Sequence, residues 1–124
     1  VIWLLVAVAG ALGAMARWSL DRLVMGLLLP RASFPWGTLL INASGSFALG
    51  LVVGLGARQI LTGALVAVLG GGFIGAYTTF STLTFESIAL LERDSKLAAA
   101  ANLLGTVVAG TLLAALGLLV AAHL

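Results

Sequence analysis

Charge is confined to a few short stretches of this chain, and no other feature constrains its fold as much. The ten Lys, Arg, Asp and Glu residues leave four long gaps: the run before Arg17, Trp36 to Ala57, the 27 residues between Arg58 and Glu86, and Leu97 to Ala122. About 20 apolar residues cross a bilayer as a helix, and a charged side chain at mid-bilayer is costly, so uncharged gaps of this length read as membrane crossings. The pattern predicts an all-α integral membrane protein with four transmembrane helices, at roughly 1–20, 36–57, 60–90 and 97–122, forming a single domain over 1–124. With 62% hydrophobic and 8% charged residues, there is too little polar surface to clothe a soluble globule.

The connections carry the punctuation. Asp21, Arg22, Pro30, Arg31 and Pro35 follow the first gap, with an apolar stretch from Leu23 to Leu29 between them, so the first span is expected to end at this connection, near residue 20, in an interfacial turn. The apolar start is read as that span rather than as a cleaved leader. Trp36 opens the second span where aromatic belts form. The third gap is longer than one straight crossing needs, so the third helix is expected to be tilted or broken near its middle.

Catalysis is excluded on inventory. There is no cysteine, the one histidine is His123, and no Ser, His and acid set can be assembled within the spans, so the chain is not expected to be an enzyme. A net charge of +2 with a pI near 10 does not signal nucleic acid, because the basic residues flank apolar spans and anchor them at the lipid surface. Arg22, Arg31, Arg93 and Lys96 lie in the first and third connections and Arg17 joins them, against Arg58 alone on the other side. The positive-inside rule then makes connections one and three cytoplasmic.

The third span holds the densest anomaly, GGGFIGAYTTFSTLTFE from Gly70 to Glu86, with four threonines and one serine in the seven residues 78–84. Glycines and hydroxyls release backbone from helical pairing in a membrane only where the freed groups find protein or an ion. In the second span Thr38, Asn42, Ser46, Gly50 and Gly54 recur every four residues and share one helical face; Asn102, Thr106 and Gly110 repeat the pattern in the fourth. Gly50 with Gly54, and Gly71 with Gly75, read as small-residue helix-packing pairs. The polar stripes suit either interhelical hydrogen bonding or an ion path. No carboxylate or lysine lies in mid-span for a proton relay, whereas amides, hydroxyls and the ring edges of Phe80 and Phe85 are donors suited to a small dehydrated anion. Arg17 snorkels to the interface or concentrates anions at a pore mouth, and Glu86 reads as a helix-end or vestibule acid.

GALGAMAR at 10–17, GTLLINASGSFALG at 37–50 and GFIGAYTTFST at 72–82 make the chain resemble, over essentially its whole length, the CrcB/Fluc family of fluoride channels. The resemblance implies a passive fluoride channel of the cell membrane that lowers cytoplasmic fluoride, working as an antiparallel dimer in the lipid bilayer. It implies an anion pathway along Thr38, Asn42, Thr79, Phe80, Ser81, Thr82 and the position of Leu83, continuing to Asn102 and Thr106. It also implies a structural Na+ at the dimer interface, held by the backbone carbonyls of Gly75 and Thr78.

Two residues depart from the family pattern. Leu83 stands where a second pore phenylalanine is expected, and Asn102 where a tyrosine commonly opens the fourth-span stripe. Together with the one-sided basic charge, Leu83 raises the alternative of pairing with an oppositely oriented homologue rather than with a second copy. Two rival functions are a small multidrug-type exporter, which needs a first-span carboxylate that Val1 to Ala16 lacks, and a non-transporting structural subunit whose polar stripes only bind helices together.

Overall fold

The computed structural model describes residues 1–124, entirely as helices and short connections. Four stretches are long and apolar enough to cross a membrane: Ile2–Leu28, Trp36–Ala57, Gly63–Glu92 and Lys96–His123. We label the helical segments α1 (Ile2–Leu28), α2 (Trp36–Ala57), α3 (63–77), α4 (Phe80–Glu92) and α5 (Lys96–His123). Most large apolar side chains, including Leu4, Leu12, Leu104 and Leu112, are exposed on the outer face. Such a surface is stable against lipid tails and not against water.

The helix α1 does not stop at the first charges. Its last turns, Arg22–Leu28, continue with π-type winding, and the chain leaves the helix only at Leu29, immediately before Pro30. Arg22 lies back over the Trp18 ring at 5.1 Å, so its charge is accommodated at the helix surface without ending the helix. Pro30 disfavours helical backbone at the residue before it and supplies the stop.

Glycines set how closely the helices approach. A Cβ at Gly50 would strike the Ala114 carbonyl, and one at Gly117 would strike the Phe47 carbonyl, so α2 and α5 touch backbone to backbone. Gly13 of α1 sits on the Phe73 carbonyl of α3 in the same way, and Gly72 faces Val6 and Ala9. This is the small-residue packing that replaces hydrophobic drive between helices in lipid. The expected Gly71 and Gly75 pair makes no helix contact within this chain: Gly71 has no neighbour in it, and Gly75 faces only the Gly70 carbonyl of its own segment. Residues 67–74 are π-wound, so a four-residue spacing no longer returns to one face, and Gly70 and Gly72 take the packing positions.

Between α3 and α4 the backbone is extended at two residues, Thr78 (φ −79°, ψ 156°) and Thr79 (φ −147°, ψ 123°). The Thr79 hydroxyl caps α4 by accepting the Thr82 amide at 3.2 Å. Beyond the break, α4 packs on α5, while α2 packs on α5 and reaches the extended pair through Asn42.

Candidate functional site

The extended pair is held from α2. The Asn42 amide nitrogen donates to the Thr79 carbonyl at 2.9 Å, and the Thr79 amide donates to Asn42 Oδ1 at 2.8 Å. One carboxamide thus satisfies both backbone groups of the residue where helical pairing fails. Thr78 turns its own hydroxyl and amide back onto the Ile74 carbonyl, at 3.0 and 2.9 Å. Consequently the two amides that would close helical turns onto the Gly75 and Thr78 carbonyls are both engaged elsewhere, Thr79 with Asn42 and Thr82 with the Thr79 hydroxyl.

Around this pair a groove of about 440 Å³ opens on the side of the molecule. Asn42 and Ser46 of α2 line it opposite Thr106 and Gly110 of α5, with Thr78, Thr79, Phe80 and Leu83 along its length. The two stripes read from four-residue spacing therefore do face each other. Leu83 is 3% exposed and fills the groove floor, while the Phe80 ring, 71% exposed, stands at its edge. Phe85 is 73% exposed and lies outside the groove, five residues around α4.

A second cavity of about 170 Å³ lies on the other side of Thr79, lined by Arg17, Asp21, Thr38 and Thr82. Thr79 borders both spaces. Its hydroxyl donates to Thr82 Oγ1 at 3.1 Å and lies 3.3 Å from Ser81 Oγ, forming a hydroxyl cluster at the junction. The Thr38 hydroxyl donates to Glu86 Oε1 at 3.0 Å. Glu86 Oε2 and Arg17 Nε are enclosed and have no hydrogen-bond partner. Arg17 is half-buried and aimed into this cavity, a placement its sequence position between the span and the interface did not decide.

Asn102 is not at the groove. It is 0% exposed and donates to the Ser87 hydroxyl at 3.1 Å, and Ser87 in turn donates to the Leu83 carbonyl at 2.7 Å. Thr106 borders the groove, but its hydroxyl oxygen is covered. Two contacts that the sequence did not reveal also matter: Ser44 bonds the Tyr77 hydroxyl at 2.9 Å beside the extended pair, and Arg58 donates to the Ala122 carbonyl at 2.7 Å, tying the second connection to the end of α5. A tyrosine preceding the Thr-rich run is the signal that could have located the first.

Four apolar crossings with a groove opening between them make this a small multi-pass membrane protein. Residues 4–118 match the family model described as CrcB-like protein, Camphor Resistance (CrcB), and the chain belongs to that family. Similar curated proteins include a fluoride-specific ion channel FluC of Thermus thermophilus, 43% identical over 115 residues, covering 93% of this chain and 90% of that protein. A fluoride-specific ion channel FluC 2 of Moorella thermoacetica is 41% identical over 122 residues, 98% of each chain. One from Solidesulfovibrio magneticus is 50% identical over 99 residues, 79% of this chain and 78% of that protein.

Proposed function

We propose that this chain is a fluoride channel subunit of the cell membrane, passing fluoride down its electrochemical gradient and so lowering cytoplasmic fluoride. The observation that carries the reading is the Thr79 junction, where hydroxyls converge between the Arg17 cavity and the groove in an otherwise apolar chain. Hydroxyl and amide protons replace the water shell of a small anion, and no group there offers it covalent chemistry. The relatives' names supply the ion. The path runs from Arg17 and Thr38 past Thr82, Thr79 and Ser81 to the groove at Asn42, Phe80 and Leu83, with Thr106 in its far wall. The protein is a channel rather than an enzyme.

The third crossing, Gly63–Glu92, is read as one helix broken at Thr78 and Thr79. The groove is open along its side, and polar groups facing lipid are unfavourable, which supports a second chain covering it. That chain lies antiparallel, as a second copy or as an oppositely oriented homologue that contributes the ring Leu83 lacks.

The Gly75 and Thr78 carbonyls suit a structural Na+ at the interface. Their helical amide partners are drawn away to Asn42 and to the Thr79 hydroxyl, which leaves hard oxygen donors at the break. When bound there, sodium would neutralise these carbonyl dipoles where the two chains meet. Asn42 and Thr79 hold the backbone that presents them.

Fluoride efflux from loaded liposomes, followed with a fluoride electrode, tests the reading. The wild-type chain, alone or co-reconstituted with an oppositely oriented homologue, is expected to release fluoride, and Phe80→Ile to slow it. No release in either preparation would favour a structural subunit, and unchanged release in the variant would remove Phe80 from the path.

A further inference from the structure

The buried end of the α5 stripe has a donor and acceptor pattern that admits only one class of guest. The Leu83 carbonyl can only accept, so the Ser87 proton points to it at 2.7 Å. Ser87 Oγ must then accept from Asn102 at 3.1 Å, which fixes Nδ2 on that side and turns Oδ1 away. Oδ1 is enclosed and receives no hydrogen bond. One helical turn along α5, Thr106 Oγ1 is likewise enclosed and unpartnered. Both oxygens are covered within the single chain, so a second copy seated on the groove does not supply the missing bonds.

Cβ atoms one turn apart are separated by about 5–6 Å, a distance that one bridging molecule spans with two ordinary hydrogen bonds. An anion is excluded, because Oδ1 repels it. From this pattern we infer that Asn102 and Thr106 hold one buried water molecule, which donates to Asn102 Oδ1 and keeps the Thr106 hydroxyl turned inward. Asn102 is then a positioning residue: through the water it decides that Thr106 presents carbon, not a hydroxyl, to the groove. This second role rests on the fluoride reading; the water site does not.

Water-edited solid-state NMR on the chain in lipid bilayers, with labelled asparagine, tests the site directly. The chain has two asparagines, so Asn102→Leu identifies the signal. Rapid transfer from water to the Asn102 carboxamide is expected in the wild type and slower transfer in Thr106→Val; absent transfer in the wild type would overturn the site. The positioning role is read from fluoride efflux. Asn102→Leu frees the Thr106 hydroxyl to enter the groove and retain the anion, slowing efflux by up to about tenfold, the worth of one hydrogen bond. In a Thr106→Val background the same substitution changes the rate by less than about twofold, the limit of additivity. Equal effects in both backgrounds would overturn the positioning role. A wild type that passes no fluoride would sink the channel reading and leave the water site to the NMR result.

Discussion

Replacing Asn42 by leucine removes the clamp on Thr79 at almost constant volume. Two hydrogen bonds, at 2.9 and 2.8 Å, are lost together. Each neutral bond contributes about 0.5–1.5 kcal/mol net, and polar contacts between membrane helices average nearer 0.6 kcal/mol because the separated helices find other partners. Here another partner is close at hand, since the Thr79 amide can return to the Gly75 carbonyl by resuming the helix. The balance between extended and helical backbone at 78–79 should therefore shift toward helix by about 1.2 kcal/mol, about eightfold. Hydrogen exchange at the Thr79 amide and carbonyl chemical shifts of Gly75 in bilayers would report the rewinding, and fluoride efflux would fall with it. Helical shifts absent from Asn42→Leu, with efflux at the wild-type rate, would refute the clamp.

Leu83→Phe is expected to lower thermal stability in detergent by about 1–3 kcal/mol, because a ring overpacks a site that is 3% exposed, and not to raise efflux. Gly50→Val drives a side chain into the Ala114 carbonyl and should part α2 from α5, with loss of monodisperse protein on size exclusion. Thr38→Val removes the only hydrogen bond to Glu86 Oε1, costing about 1–3 kcal/mol in thermal unfolding, whereas Thr38→Ser should retain the wild-type melting temperature.

Charge spacing alone reveals the four crossings, since lipid forbids the alternatives, and four-residue spacing puts Asn42 with Ser46, and Thr106 with Gly110, each on one face; that the two faces meet at one groove needed the structure. The rest depended on partners distant in sequence. Asn42 lies 37 residues from the peptide it clamps, and no local pattern reveals that both its amide atoms are engaged there. The continuation of α1 to Leu28 was hidden because Asp21 and Arg22 resemble a helix end, and the Trp18 contact that accommodates Arg22 is a matter of side-chain placement. Gly71 and Gly75 fit a packing motif by spacing, but π-winding changes the period on which the motif depends. Asn102 shares a face with Thr106 as expected, yet Ser87 decides which way its amide points.

That Thr79 alone borders both cavities has an electrical consequence. On the proposed fluoride path, a second chain sealing the groove would make Thr79 the one link between the two spaces, and the transmembrane voltage would fall steeply there. A monovalent anion on that path would do a large share of its electrical work, about 2.3 kcal/mol per 100 mV in total, in the step past one threonine.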